Sequence, residues 1–334
     1  MENSSFLLNL TPSYSTSGPT APTEDETLEL SLVIILCTVL GVASILGTLG
    51  NALVLLSIIK FDNLRAIPDL FIFSLSLSDI LVTAIYQPLK AYRLAHFSTT
   101  NTELILLISH FQGHFSLIAS ITNVFGVTVE RLISIRFPMK YDLFVTRRRA
   151  IITVICIWIF SVTYGALACV ELLPRVFVSI YFMLVLIGTV SIYIYIFFIA
   201  KRLEDFTVNQ YIPNGSSDDE RPNRERKAAK TIVIILGVAL GCWLPFIVLA
   251  AIFSTRFLKI FYSLQVLSVC NSSINPYIYC VRSRRYFVAF VNLLGLQRIF
   301  KRQATVSPAH SRRNPALNAN DAPVEIQSLE IPAR

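Results

Sequence analysis

Asp79 is the residue whose setting most needs explaining. It closes Ser74-Leu75-Ser76-Leu77-Ser78-Asp79 inside a long apolar stretch. A carboxylate among apolar side chains needs a cation, a proton or several hydrogen-bond donors. Asn51, Ser120, Asn123, Asn271, Ser272 and Asn275 lie in comparable surroundings. An amide in hydrocarbon costs several kcal/mol unless it finds a partner. Asn271 and Asn275 are four apart and share one helix face. In the simplest reading these amides and hydroxyls satisfy one another across helices. The functional reading is a small-cation site for sodium, liganded by Asp79, Ser120 and Asn271.

Other groups suggest moving parts. Glu130-Arg131 is an acid–base pair near the end of an apolar span. It is either an arginine snorkelling to headgroups or a latch. Glu225 lies 18 residues before Trp243, which puts both on one helix face. Glu225 is therefore a candidate partner for Arg131 in a closed bundle. Pro245, just after Trp243, and Pro276 each remove a helix hydrogen bond and permit a bend. A kinked helix with an aromatic at the bend can be bistable. His110 and His114 are also four apart, a spacing that suits one metal. With Glu171 they raise the alternative of a seven-helix membrane zinc hydrolase. A catalytic zinc normally takes three protein ligands, and the remaining histidines, His96 and His310, fall outside the apolar spans.

The elements that must hold these groups follow from composition. The 334-residue chain is 54% hydrophobic and 15% charged, against about 25% charged for soluble domains. Its apolar runs are long and continuous, which favours helices over a spanning barrel. Seven candidate spans lie at about 31–59, 67–93, 104–136, 149–172, 176–201, 226–253 and 260–281. Each clears the roughly 20 residues that cross a bilayer. The expected fold is all-α, a seven-transmembrane helix bundle occupying residues 29–295. It would include an amphipathic helix on the inner membrane face near 282–297, carrying Tyr286, Phe287, Phe290, Leu293 and Leu294.

Residues 1–59 hold no Lys or Arg. Only Lys90, Arg93, Arg175, Arg256 and Lys259 of the 29 Lys+Arg fall on that end's side of the membrane. The positive-inside rule then places the N-terminus outside and the C-terminus in the cytoplasm. The net charge of +8 reflects that asymmetry, so nucleic acid is not an expected partner. Residues 1–28 read as an extracellular tail with Asn3 and Asn9 as glycosylation acceptors, and 296–334 as a cytoplasmic tail. All six cysteines fall within spans, which offers no evident extracellular disulfide.

In order and spacing, these pieces resemble a rhodopsin-like (class A) G-protein-coupled receptor over roughly residues 30–295. The resemblance rests on Gly50-Asn51 with Val54, Leu75-Ser76-Leu77-Ser78-Asp79, Glu130-Arg131-Leu132 and Trp158. Cys242-Trp243-Leu244-Pro245 and Asn275-Pro276-Tyr277-Ile278-Tyr279 complete it. It implies a plasma-membrane receptor that passes an extracellular ligand's signal to a heterotrimeric G protein, with no catalytic residues and no organic cofactor. It puts Asp79, Ser120, Asn271 and Asn275 on sodium-pocket positions, with sodium as an allosteric modulator. It puts Trp243 on a rotamer-toggle position, and Arg131, Tyr193 and Tyr279 on positions that reorganise to admit a G-protein helix.

Several residues depart from the family pattern. Leu106 stands where most members have a cysteine, Val185 near the usual helix-five proline, and Leu132 for the motif tyrosine. The connection around Leu173-Pro174-Arg175 is very short. Three of these features, the very short connection among them, resemble the melanocortin receptors, within a cluster that includes adenosine, cannabinoid and lysophospholipid receptors. Gly113 replaces the aspartate of amine receptors, which argues against a monoamine. No lysine lies in 260–281, which excludes a retinal Schiff base on that template. The expected ligand cavity is the outer half of the bundle, lined by Gln87, His110, Gly113, His114, Glu171, Trp243, Phe246 and Gln265. Gly113 is expected to open space at its centre. Lys90, Arg93 and Arg175 at the mouth would draw an anionic or lipid-like ligand, or contact membrane lipid headgroups.

Overall fold

The computed structural model describes residues 29–96, 103–170, 172, 175–210, 241–246, 248–249 and 258–296. Among these, all regular structure is helical. The α-helices are α1 (Leu30–Lys60), α2 (Ile67–Ile80), α3 (Gln87–Ala95), α4 (Glu103–Arg136), α5 (Tyr141–Phe144), α6 (Arg147–Cys169), α7 (Arg175–Gln210), α8 (Leu258–Arg282) and α9 (Arg284–Leu293). Residues 241–246, within the expected sixth span, are helical, and most of that span lies outside the described residues. So do Asn3, Asn9, Glu171, Glu225 and the C-terminal tail.

Burial is inverted relative to a water-soluble protein. Asn51, Asp79 and Asn123 are wholly buried, while Ile34, Ile35, Leu46 and Leu49 of α1 are about half exposed. Large apolar side chains face outward in this way when the surroundings are hydrocarbon, and polar groups then turn inward to find partners. Five of the described helical stretches are long and apolar enough to cross a membrane: Leu30–Lys60, Ile67–Ala95, Glu103–Arg136, Arg147–Cys169 and Ile180–Ile199. α8 has the length but is diluted by Gln265, Asn271 and Asn275. It begins at Leu258, so Lys259 falls inside it; that lysine pairs with Glu29 at 2.6 Å, at the start of α1. α4 is the central helix, packed against α2, α6 and α7, while α1 packs on α2, α3 and α8.

The expected second span is not one regular helix. Between α2 and α3 the chain makes a π-helical turn over Leu81–Tyr86. Pro88, at the start of α3, has no N–H for the preceding turn, and the Gln87 N–H reaches back five residues to the Val82 carbonyl. Neighbouring helices cap two carbonyls of the widened turn. Gln112 Nε2 donates to Leu81 O at 3.1 Å, and Ser44 Oγ donates to Thr83 O at 2.7 Å. One inserted residue moves everything after it about 100° around the axis. The inward face of α3 thereby becomes Gln87, Lys90 and Leu94.

Local capping sets other boundaries. Thr146 Oγ1 accepts from Arg149 N and opens α6. Asp69 Oδ2 accepts from Ala66 N and opens α2. The same buried carboxylate anchors α9: Tyr286 OH donates to Asp69 Oδ1 at 2.9 Å, and Arg285 Nη1 lies 3.6 Å from Oδ2. Burial, and then the Asp69 charge, push the Tyr286 phenol above its usual range, so it stays a donor. Tyr286→Phe is expected to cost about 1.5–3 kcal/mol, the worth of one hydrogen bond to a charged group. The check is a melting temperature a few degrees lower in the purified protein. At the C-terminal end of α9, Gly295 adopts φ 67°, a left-handed stop that glycine takes without strain.

Candidate functional site

Three polar groups line the interior. The first surrounds Asp79. Ser120 Oγ on α4 donates to Asp79 Oδ1 at 2.7 Å, and Asn275 Nδ2 on α8 donates to Oδ2 at 2.6 Å. Ser272 Oγ lies 3.3 Å from Ser120 Oγ. No Lys, Arg or His among the described residues pairs with this carboxylate. Two of the predicted partners, Ser120 and Asn275, thus meet Asp79. Asn271 is buried but makes no hydrogen bond to it among the described residues; Ser272, which the sequence reading left out of the site, stands in its place. Asn51 fastens this level by donating from Nδ2 to Gly47 O at 2.9 Å and to Ser272 O at 3.1 Å. A β-carbon at Gly50 would lie 2.6 Å from Pro276 Cγ, so only glycine lets the proline ring rest against α1.

The second group lies at the far end of α4. Glu130 is 3% exposed; its Oε1 accepts from Tyr141 OH at 2.7 Å, and its Oε2 lies 3.4 Å from Arg131 Nε. Burial, and then the Glu130 carboxylate, raise the Tyr141 phenol above its usual range. The acid–base pair is therefore closed by a tyrosine on the short α5, which sequence reasoning missed. Glu225, the expected partner of Arg131, is outside the described residues. Tyr193 is buried beside Leu132 and Ile196, and Thr128 Oγ1 donates to its hydroxyl at 3.3 Å. Tyr279 packs on Tyr286 with ring centroids 6.1 Å apart.

The third group occupies the opposite end, where several expected cavity residues lie. Trp243 is buried against Phe182 at a ring distance of 5.1 Å, with Phe246 packed on the same cluster. Pro245, two residues on, is exposed. Gln87 does not face open space. It is fully buried, and its Nε2 donates to Val269 O and Ser273 Oγ, each at 3.1 Å. Gly113 opens no space either, because the Tyr86 ring occupies it; a β-carbon there would meet Tyr86 Cε2 at 2.8 Å. Lys90, expected at the cavity mouth, is buried. It is 8% exposed, and its ammonium donates to Gln265 Oε1. The π turn is the physical reason for both placements, since it turns Gln87 and Lys90 inward.

His110 and His114 stand edge to face at 6.4 Å, and His114 lies 6.5 Å from the Tyr164 ring. Among the described residues no three His, Cys, Asp or Glu side chains form a metal-holding group. All six cysteines are free.

A family model described as "7 transmembrane receptor (rhodopsin family)" matches residues 50–279. Melanocortin receptor 5 of Mus musculus is 27% identical over 301 residues, covering 81% of this chain and 87% of its own. The alpha-1A adrenergic receptor of Oryctolagus cuniculus is 26% identical over 358 residues, covering 89% and 74%. The human alpha-1A adrenergic receptor is 25% identical over the same length. Nothing among these supports a zinc hydrolase. The polar groups line the interior of a multi-pass membrane bundle, and the family match spans that bundle: the chain belongs to the rhodopsin family of seven-transmembrane receptors and is a G-protein-coupled receptor.

Proposed function

We propose that this receptor lies in the plasma membrane with its N-terminus outside and its C-terminus in the cytoplasm. An extracellular ligand shifts it from a closed to an open inner face, where a heterotrimeric G protein docks. The observation that carries this reading is the closed Tyr141–Glu130–Arg131 latch at the inner end of α4. Ser120 and Glu130 are ten residues apart on α4, about 15 Å of helix, so one rigid element connects the Asp79 group to the latch. Sodium held by Asp79, Ser120, Ser272 and Asn275 would favour the closed bundle. A ligand that binds the open bundle more tightly must supply the difference. The amphipathic α9, on the inner membrane face, would frame the docking site. Relatives named for melanocortin and for adrenergic function do not carry a single ligand to this chain.

The test is guanine-nucleotide exchange on G proteins in membranes with and without the receptor. Glu130→Gln keeps an acceptor for Tyr141 and removes the charge that holds Arg131. The Arg131 side chain is 38% exposed, so the pair is worth about 1 kcal/mol or less. Basal exchange is then expected to rise up to roughly fivefold. Arg131→Ala is expected to return exchange to the level of receptor-free membranes. Equal exchange in all these preparations would count against the reading.

A further inference from the structure

Lys90 and Arg93 form a cationic site that the proposed switch does not use. They are three apart on α3 and share a face. The Lys90 ammonium donates to Gln265 Oε1 on α8 and sits 5.3 Å from the centroid of the Tyr262 ring. Arg93 Nη1 donates to Ser109 Oγ on α4 at 3.0 Å, and Arg93 Nε is buried with no hydrogen-bond partner. No carboxylate among the described residues is within ion-pair distance of either cation. Amide, hydroxyl and ring partners orient a cation but do not cancel its charge. Two like charges in a poorly solvated place repel, and salt screens them little. An acidic ligand would remove that cost, and the unpartnered Nε leaves an arginine edge of the kind that grips carboxylate and phosphate. From Tyr262 an aromatic wall continues to Phe261 at 5.8 Å and on to Phe246 at 5.6 Å. That wall suits an apolar body attached to the acidic group.

We propose that the outer ends of α3, α4 and α8 bind an acidic amphiphile. Lys90 and Arg93 neutralise its carboxylate or phosphate, and its apolar part lies along Tyr262, Phe261 and Phe246. The inference rests on the receptor reading above, since it names the chemistry of the extracellular ligand.

The test is the melting temperature of the purified full-length receptor in uncharged detergent. The probes are dodecyl phosphate, dodecanoate, dodecanol and inorganic phosphate. Dodecyl phosphate or dodecanoate is expected to raise the melting temperature by several degrees at saturation, with little change from dodecanol or inorganic phosphate. The shift is expected to vanish in the Lys90→Gln/Arg93→Gln double variant. Lys90→Gln alone keeps a donor for Gln265 and removes a buried charge, so without probe it is expected to melt at or above wild type. The proposal is overturned if neither acid shifts the melt, if dodecanol or inorganic phosphate matches the acids, or if the double variant keeps the response. A Lys90→Gln receptor melting well below wild type also overturns it, since Lys90 would then be a structural tie. Acid-dependent melts with flat nucleotide exchange would leave the site standing and remove the signalling reading.

Discussion

Gly47→Val is expected to leave little or no folded receptor. A β-carbon at Gly47 would lie 2.5 Å from Thr83 Cγ2, 2.7 Å from Ser273 Oγ and 2.9 Å from Ser273 Cα. The threonine and serine side chains can turn aside, but the Cα can move only with α8. Overpacking usually costs about 1–3 kcal/mol, and more when backbone must shift. Displacing α8 from α1 would also break the Asn51 bond to Ser272 O, which spans the two helices. It would draw Asn275 away from Asp79 as well. The combined loss, on the order of 3–6 kcal/mol, is a large part of a typical stability of about 5–15 kcal/mol. Cell-surface abundance and the melting temperature of any purified protein would show it. Gly41→Val is the control: a β-carbon there has nothing within 4 Å and faces outward from the bundle. Gly47→Val melting within about 2 °C of wild type would mean that α1 and α8 are not so closely held.

Asp79→Asn is expected to abolish a sodium-dependent stabilisation that the wild type shows. The Asp79 carboxylate has two neutral donors, Ser120 and Asn275, and no cation from the described residues. Charge held this way is poorly compensated, so bound sodium should stabilise the fold by about 2.7 kcal/mol at a hundredfold excess over its dissociation constant. The asparagine removes both the charge and the reason for the ion. Melting curves in sodium chloride and in N-methylglucamine chloride should diverge for the wild type and coincide for the variant. Without sodium the variant should be at least as stable as the wild type. Asp79→Ala behaves differently: it strands the Ser120 hydroxyl and the Asn275 amide, at about 1–3 kcal/mol each. An Asp79→Asn receptor with the wild-type sodium response would make the group purely structural.

Much of the architecture was legible because its causes are local. The first, third and fourth apolar runs became α1, α4 and α6 within a few residues of their expected ends, because hydropathy and helix length are properties of contiguous sequence. Polar residues inside the apolar runs had to turn inward to find partners, and Asn51, Asp79, Ser120 and Asn275 are buried. Tyr141 was not legible, because nothing in a short connecting segment says that its hydroxyl folds back onto Glu130. Spacing also could not choose between Asn271 and Ser272. They lie four and three residues before Asn275, and both separations share a helix face.

By itself, then, the sequence determined that this chain is a bundle of membrane-crossing helices with a polar interior, and which residues had to seek partners there. Only the tertiary structure decided the pairings. Asp79 meets Ser120 across 41 residues and Asn275 across 196, distances at which periodicity says nothing. The π turn at Leu81–Tyr86 then changed the phase of the outer segment. It carried Lys90, expected at the cavity mouth, to a buried site beside Gln265, and the ring of Tyr86, inside the turn, fills the space expected at Gly113. A missing backbone N–H at Pro88 is legible in a sequence, but the face it selects depends on which neighbours accept the rotated helix.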